Sequence, residues 1–426
     1  MYALLIPLLI LCLLMGMPIF AVILAAAMTG FLYQDIDLTA VAIELYRLED
    51  MPLLVSLPLF TFAGYILSES NASQRLLNLV KAVFGWIPDG LAIIVIIACA
   101  IFTAFTGASG VTILALGALL YPAMIKAGYR DRFSMGLITT SGSLGLLLPP
   151  SVPLIIYGII MQQMNIGGEY EFQDIFLAGL IPALLMIVML AAYVLWDNRH
   201  INIPRTAFSL RDFKQACRSS AWDFPLPVII FAGIFSGVLA VSELAAITAL
   251  YILIVEVLVH RDIKLKQLPT IAAESMTMIG GILLILAAAM AFTNFLIDAE
   301  IPNSLFLWIK QHIDSKLTFL LLLNIFLLLV GAVLDIFSAL VIIVPLILPV
   351  AISYGINPIH LGVIFLANMQ IGYITPPVGM NLFIASHRFN RPVLELYHAS
   401  LPFLLVSLLA VLLITYWPGL SLLLIN

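Results

Sequence analysis

Ten long apolar runs dominate this sequence of 426 residues and limit what it can fold into. A helix needs roughly 20 apolar residues to cross the hydrocarbon core of a bilayer. Hydrophobic residues make up 63% of the chain and charged residues 10%, whereas soluble domains carry about 25% charged residues. An all-α polytopic membrane protein is expected, and a soluble enzyme, a nucleic-acid-binding protein and a disordered chain are excluded. The runs lie at about 3–33, 51–68, 90–125, 133–165, 172–196, 224–260, 270–297, 317–352, 359–386 and 397–424.

Two of the runs, 90–125 and 317–352, are too long for one crossing and too short for two ordinary ones. Each contains 36 residues with a polar, glycine-containing kink near its middle. Two half-length helices joined inside the membrane, which form a re-entrant hairpin, fit this length. A pair of short or tilted full crossings is the alternative.

Lysine and arginine residues orient the chain, because cytoplasmic loops are enriched in them. We expect the basic clusters in the cytoplasm and the loops 35–50 and 169–174, which are acidic and poor in basic residues, outside. The two hairpins then enter from opposite sides of the membrane. The basic clusters lie at 126–132, 199–218, 261–266 and 388–391.

The two halves of the sequence align at a constant offset of 227 residues without a gap. The matches involve glycine and proline, which determine backbone conformation. An odd number of crossings separates the copies, so the repeat is inverted, as in many secondary transporters. The matched pairs are Pro122 with Pro349, Gly128 with Gly355, Gly145 with Gly372, and Pro149-Pro150 with Pro376-Pro377.

Each repeat has a polar hairpin tip, at 106–112 or 331–338, and a Pro-Pro pair inside the following apolar run. A Pro-Pro pair breaks a helix, which frees carbonyl groups on one side and helix N-termini on the other. Carbonyls can bind Na⁺ and helix N-termini favour a carboxylate. The alternative is a pair of proline kinks used only for packing.

Asp335 is the only Asp, Glu, Lys or Arg between Lys316 and Arg388. A carboxylate at membrane depth is costly unless it is paired or binds an ion. We interpret Asp335 as a Na⁺ or H⁺ ligand. A helix cap or a hydrogen bond to Ser338 is the alternative.

Neutral polar residues cluster beside the two breaks and are candidates for binding a solute. Interhelical hydrogen bonds are an equally good explanation for any one of them. No nucleophile–base pair, phosphate loop or metal cluster stands out, so an enzyme is not expected. The predicted substrate residues are Ser143, Ser151, Gln370 and Asn381.

Three segments resemble motifs of the large membrane subunit of tripartite ATP-independent periplasmic (TRAP) transporters. Residues 142–158 (GSLGLLLPPSVPLIIYG) and 371–383 (IGYITPPVGMNLF) are similar to its two signature segments, and residues 52–64 (PLLVSLPLFTFAG) to its amino-terminal motif. The similarity extends over essentially the whole chain.

The resemblance implies a Na⁺-coupled importer of the bacterial inner membrane with an elevator-type fold, in which a mobile transport domain moves against a fixed scaffold. It also implies two partners, a small four-helix membrane subunit and a periplasmic substrate-binding protein. The cargo would be a small carboxylate, such as a C4-dicarboxylate or sialic acid. A channel or uniporter on the same fold is the competing interpretation.

The resemblance further implies two sodium sites, one in each repeat. Ala108 stands in the first copy where the second has Asp335, so the two sites cannot be chemically equivalent. The first site would comprise Thr106, Ser109, Thr112, Gly145 and Pro149, and the second Gly331, Asp335, Ser338, Gly372 and Thr375.

The expected domain division follows the repeat. Two transport-domain segments, 89–166 and 317–390, each contain a hairpin and a broken helix. The other segments are scaffold helices at 1–68, an interfacial arm helix at 69–88, linking and scaffold helices at 167–297 with a basic cytoplasmic stretch at 197–223, an outer arm helix at 298–316, and a C-terminal helix at 391–426.

The charged outer loop at 35–50 is a candidate surface for docking the binding protein. Arg47 and Asp50 are the residues expected to meet it, since charge pairs at a rim tune encounter. The alternative is a solvated loop without a partner.

Overall fold

The computed structural model describes residues 9, 11–12, 15–47, 51–87, 89–164, 170–199, 209–236 and 239–425. Every regular element in these residues is helical. Eight helices in this part of the chain are long and apolar enough to cross a membrane. The expected all-α membrane fold is confirmed.

The helices of the first half run from a pair at the amino-terminal end to one long helix. A 3-10 turn at Pro52–Val55 precedes α3, and another, Leu144–Leu147, lies between α7 and α8. The helices are α1 (Ile19–Tyr33), α2 (Thr39–Arg47), α3 (Ser56–Glu69), α4 (Ala72–Phe84), α5 (Gly90–Thr106), α6 (Ser109–Lys126), α7 (Asp131–Ser141), α8 (Val152–Gln163) and α9 (Phe172–Asp197).

The second half begins after the basic stretch and repeats the same order. A π-helical turn, Val255–Val259, continues α12. The helices are α10 (Leu210–Ser219), α11 (Pro225–Ser236), α12 (Val241–Ile254), α13 (Leu268–Asp298), α14 (Ile301–His312), α15 (Lys316–Val333), α16 (Ile336–Ser353), α17 (Pro358–Gly372), α18 (Met380–Phe389), α19 (Val393–Tyr416) and α20 (Gly419–Leu422).

The helix boundaries obey the offset read from the sequence. Adding 227 to both ends of α6 (109–126) gives 336–353, which are the ends of α16. Gly128 and Gly355, the matched glycines, both have positive φ, of 94° and 68°. The internal repeat is therefore a repeat of structure.

Hairpin 1 consists of α5 and α6, and hairpin 2 of α15 and α16. Gly107, with φ +67°, ends α5 in the left-handed conformation that glycine adopts without strain, and the chain then reverses. The four arms have 17 or 18 residues, or about 26 Å at 1.5 Å per residue. Arms of half a membrane thickness were expected, and the real arms are longer because the breaks are confined to one or two residues. Re-entry of the hairpins stays a prediction.

The two broken helices are confirmed. The first consists of α7, the turn Leu144–Leu147 and α8, with a cis Pro149-Pro150 bond before α8. The second consists of α17 and α18, with a cis Pro376-Pro377 bond between them. In each, the helix ends before the proline pair, because proline has no N–H to continue the ladder.

The helices form two packed groups. One group contains α1, α3, α11, α12 and α13, which we call the frame. The other, the central block, contains both hairpins, both broken helices, α9 and α19. A methyl group on Gly179 of α9 would collide with the Leu147 carbonyl, and one on Gly136 of α7 with the Ala399 carbonyl of α19. Helix α9, which the sequence-based division grouped with the scaffold, thus packs against the central block.

Each hairpin tip lies against the broken helix of its own repeat through one repeated contact. A Cβ built on Gly372 would lie 2.6 Å from the Gly331 Cα atom. In the first repeat, a Cβ on Gly145 would collide with the backbone of Ala104, and these two positions are again 227 residues from the first pair. Only glycine allows backbones to approach this closely.

Arg75 joins α4 to the frame in a buried cluster of charges. Its guanidinium contacts Asp223 at 2.8 Å, Glu256 at 2.5 Å and Asp262 at 2.5 Å. Although burial raises the pKa of Asp262, hydrogen bonds from Asn71 and Arg75 hold it below its ordinary value. Helix α4 bends by 75° from the preceding helix, and the cluster fixes that bent position.

We expect Gly372→Ala to lower the thermal unfolding midpoint, because the added methyl must push the hairpin 2 tip away from the break. Overpacking of this kind costs about 1–3 kcal/mol. Gly280→Ala is the matched control, since a Cβ there meets nothing within 4 Å and alanine favours a helix. Unfolding followed by fluorescence in detergent measures both variants, and equal midpoints would contradict the close approach.

Replacing Arg75 by glutamine should destabilise the fold, because three carboxylates would lose their shared cation. Removing one partner of a buried ion pair costs about 3 kcal/mol or more. Lys81→Gln removes an exposed charge from the same helix and should change the midpoint little. A midpoint as high in Arg75→Gln as in Lys81→Gln would show that the cluster contributes no stability.

Candidate transport site

Asp335 lies at the tip of hairpin 2 and caps α16. Its Oδ1 atom accepts hydrogen bonds from the backbone N–H groups of Phe337 and Ser338, both at 3.0 Å. Its Oδ2 atom accepts a hydrogen bond from the Ser338 hydroxyl. The cap that the sequence left open as an alternative is therefore present. The same contacts orient the carboxylate at a helix N-terminus, where negative charge is favoured.

Two hydrogen bonds join this tip to the second break. The Gly379 N–H donates to the Ala332 carbonyl at 3.0 Å, and the Ile336 N–H donates to the Tyr373 hydroxyl at 2.7 Å. Gly331 and Gly372 are in contact beside them. The structure thus brings together Gly331, Asp335, Ser338 and Gly372.

Thr375, the fifth residue predicted for this site, lies in the loop of the second break. Its hydroxyl donates to the Ile371 carbonyl at 2.9 Å, which leaves the hydroxyl oxygen with free lone pairs. The loop itself is open, since Pro376, Pro377 and Val378 are exposed. The corresponding Pro149 and Pro150 of the first break are buried, so the two breaks have different surroundings.

The tip of hairpin 1 contains threonines where hairpin 2 has its carboxylate. The Thr103 hydroxyl donates to the Gly142 carbonyl and contacts the Thr112 hydroxyl, both at 2.7 Å. The Thr106 hydroxyl donates to the Ala108 carbonyl at 3.4 Å. The predicted Thr106, Thr112 and Gly145 thus lie around one tip, and Thr103 joins them although the motif read from the sequence began three residues later.

Pro149 follows closely in space, because Gly107 at the tip lies against the side chain of Val152 at the start of α8. Ser109 faces elsewhere. Its hydroxyl donates to the Asn381 side-chain carbonyl at 2.7 Å, across the boundary between the repeats. Of the residues predicted for the first sodium site, Ser109 therefore belongs with the substrate residues.

Ser109, Asn381 and Thr139 form a polar group between the repeats. The Asn381 amide donates to the Thr139 carbonyl at 3.5 Å, and all three residues are buried. The positions related to them by 227 residues are Ile336, Leu154 and Leu366, which are also buried. The polar group therefore exists on only one side of the repeat axis.

Ser143 and Gln370 lie on that axis. The Ser143 hydroxyl donates to the Gln370 carbonyl at 3.3 Å, and the two residues are 227 positions apart. Each residue thus contacts its own counterpart in the other repeat. The Gln370 amide N–H₂ group lies 3.7 Å from the Met186 sulfur of α9.

Several buried polar atoms near this axis have no hydrogen-bond partner within the described residues. They are atoms that a solute could satisfy, because a buried polar group without a partner is costly. The atoms are Thr140 Oγ1, Ser141 Oγ, Ser151 Oγ and Gln370 Oε1. All four predicted substrate residues therefore lie at or beside the repeat boundary.

The docking residues cannot be placed in the same way. Asp50 lies outside the described residues, and of Arg47 only its position at the end of α2 is described. Within the described part of the chain, no group of three or more His, Cys, Asp or Glu residues could hold a metal ion.

The family described as tripartite ATP-independent periplasmic transporter, DctM component, matches residues 6–420. The chain is 34% identical to the C4-dicarboxylate TRAP transporter large permease protein DctM of Pseudomonas aeruginosa, over 95% of this chain and 93% of that protein. It is 30% identical to the sialic acid TRAP transporter large permease protein SiaM of Vibrio cholerae, over 96% and 95%.

A third relative is longer. The isethionate TRAP transporter permease protein DctMQ of Oleidesulfovibrio alaskensis is 32% identical over 86% of this chain, which covers 57% of that protein. Among solved structures, the YdaH transporter of Alcanivorax borkumensis matches with a TM-score of 0.63 at 16% identity, over 93% of this chain and 87% of that one. This likeness concerns the fold alone.

These relatives are transporter permeases and not enzymes, and the resemblance read from the sequence is confirmed. With a family match over nearly its whole length, the chain belongs to the DctM family of large permease components of tripartite ATP-independent periplasmic transporters.

Proposed function

We propose that the chain is the large subunit of a Na⁺-coupled importer of the bacterial inner membrane that moves a small carboxylate-containing solute. The observation that carries this proposal is the single intramembrane carboxylate, Asp335, held by its cap at a hairpin tip that is bonded to a broken helix. Secondary transporters bind their coupling ions at such breaks.

The second repeat supplies the stronger sodium site. Asp335 offers an anionic oxygen and Ser338 and Thr375 offer hydroxyl oxygens, while the close contact of Gly331 with Gly372 brings backbone carbonyls to the same place. Oxygen donors of this kind suit a hard cation. A bound Na⁺ would neutralise a carboxylate that is otherwise costly at this depth.

The first repeat supplies a neutral site. Thr106 and Thr112 lie at the tip with Thr103, and Gly145 with Pro149 lie in the adjoining break. Hydroxyl and carbonyl oxygens can replace the water shell of Na⁺ without a formal charge. We expect this site to bind Na⁺ more weakly than the one that contains Asp335.

The solute would lie between the two sodium sites, where the repeats meet. Ser143, Ser151, Gln370 and Asn381, together with Ser109, present neutral donors and acceptors there. The N-terminus of α8 at Ser151 adds a partial positive charge that favours a carboxylate. C4-dicarboxylates and sialic acid, which relatives transport by name, both carry such a group.

The central block would move against the frame as an elevator. Helices α9 and α19 would move with the hairpins, because glycine contacts join them to the broken helices. Only α3 and α13 of the frame pack extensively on the hairpins. A narrow contact of this kind suits sliding better than a wide one.

Two partners complete the proposed importer. A small four-helix membrane subunit would accompany this chain, since the relative DctMQ bears a name that joins the two subunits. A periplasmic binding protein would deliver the solute, and the loop with Arg47 and Asp50 is its proposed docking surface.

Asp335→Asn should abolish Na⁺-driven uptake while the protein stays folded. Asparagine is as good a helix cap as aspartate, so the substitution removes the charge and keeps the capping oxygen. In the unchanged protein, Na⁺ should raise the unfolding midpoint, because a ligand that binds only the folded state stabilises it. That rise should disappear in the variant.

Asn357→Ala is the matched control. Asn357 caps α17 through the N–H groups of Ile359 and His360, and its loss should cost about 1 kcal/mol of stability without altering the response to Na⁺. If Asp335→Asn keeps the wild-type dependence of uptake on Na⁺, the sodium assignment is wrong.

A cross-link between the frame and the central block should stop uptake. Leu67 of α3 and Phe105 of hairpin 1 line the same cavity of about 240 Å³. Cysteines at these two positions, with Cys12, Cys99 and Cys217 replaced by alanine, can be joined by a reducible bifunctional thiol reagent. Uptake in proteoliposomes should fall to background and return on reduction.

The control joins two parts of the central block. Tyr121 and Phe389 have ring centroids 4.9 Å apart, and a cross-link between cysteines there should leave uptake largely intact. Transport that continues with the frame and block joined would exclude the elevator movement.

A further inference from the structure

Hairpin 2 encloses a cavity of about 350 Å³ that the proposed transport cycle does not use. The cavity lies between its two arms and is closed on one side by the arm helix α14. Every side chain that lines it is apolar. The lining residues are Leu305, Trp308, Ile309 and Ile313 of α14 and its end, Phe319, Leu322, Leu323 and Phe326 of α15, and Ile343, Leu346, Ile347 and Val350 of α16.

The cavity exists because the two arms of hairpin 2 diverge. Helix α15 packs mainly against α17, whereas α16 packs against α8, α13 and α14. In hairpin 1 the two arms pack against each other along their length. The same repeat unit therefore has a closed hairpin in one copy and an open one in the other.

Water is a poor occupant of this space, since a buried water needs two to four polar partners. Hydrocarbon is a good one. The cavity lies beside apolar side chains that face outward, with Leu322 44% and Phe326 43% exposed. In a membrane protein such faces contact lipid, so acyl chains reach the gap between the arms.

The rim of the cavity matches a lipid headgroup. Trp308, which is 60% exposed, marks the end of α14 as an interfacial position, where tryptophan is enriched. Lys310 and His312 follow in the last turn of α14, and Lys316 begins α15. This cluster of nitrogen donors lies where the phosphate of a lipid would sit above its chain.

We propose that this cavity is a binding site for one membrane glycerophospholipid, with an acyl chain between the arms of hairpin 2 and the phosphate beside Lys310. Binding holds the arms apart. The lipid therefore favours the conformation in which hairpin 2 is open.

The other sizeable cavity differs in a way that supports this choice. It measures about 240 Å³ and lies between α4, α5 and the residues before α11. Asp223 and Ser220 contribute to its wall, and Asp223 belongs to the Arg75 cluster. A carboxylate in the wall disfavours an acyl chain, and the cavity does not lie between hairpin arms.

The test uses a phospholipid with a photoreactive diazirine in its acyl chain, added in increasing amounts to the purified full-length chain in detergent. Mass spectrometry locates the labelled residues. We expect saturable labelling, at one lipid per chain, within 319–326 and 343–350. Leu323→Phe fills part of the cavity and should weaken binding about tenfold, the equivalent of about two methylene groups.

Leu321→Phe is the matched control, because Leu321 is 45% exposed on the same helix and does not line the cavity. It should bind the lipid as the wild-type chain does. Ile347→Phe fills the cavity from the opposite arm and gives an independent second variant, so one misfolded protein cannot decide the result.

A second probe tests the headgroup. Lys310→Gln should weaken labelling by the phospholipid severalfold and leave labelling by a photoreactive fatty alcohol, which has no phosphate, unchanged. Labelling that does not saturate, that lies outside both segments, or that is equal in Leu323→Phe and Leu321→Phe would overturn the proposal. None of these readouts depends on transport, so failure of the proposed function would leave the test intact.

Discussion

Backbone polar groups that are freed inside a membrane must find partners within the protein, and this constraint explains the arrangement of the central block. The two proline pairs interrupt helices in the middle of apolar runs. At the first break, the turns Leu148 N to Gly145 O and Ser151 N to Leu148 O satisfy part of the chain locally. At the second, the hairpin tip accepts the bond from Gly379. Tip and break therefore form one unit in each repeat.

The two units share their backbone and differ in their side chains. Glycine contacts and proline pairs recur at the common offset, whereas Asp335 has Ala108 as its counterpart and Asn381 has Leu154. Backbone geometry thus sets where ligands can bind, and a few polar substitutions on one side decide which ligands do. A symmetric fold obtains an asymmetric site in this way without changing its architecture.

Much of the fold could be predicted from the sequence, because glycine and proline act locally. The offset of 227 located both hairpins and both broken helices, and the isolation of Asp335 identified the charged tip. Contacts between distant elements could not be predicted. Arg75 and Glu256 are single charges 181 residues apart in sequence, and nothing in the pattern pairs them. The grouping of α9 with the central block depends on Gly179 meeting Leu147, which hydropathy does not reveal.

The contact between Ser143 and Gln370 has a consequence for the origin of the fold. A position on a two-fold axis meets its own copy, so in an assembly of two identical, oppositely inserted chains the same side chain would have to be compatible with itself. Joining two such chains into one polypeptide removes that demand. A serine can then face a glutamine, a pair that no homodimer could place there. The residues nearest the axis are therefore the first that gene duplication and fusion free to diverge, and this protein has used them to place unlike polar groups at the centre of its solute pathway.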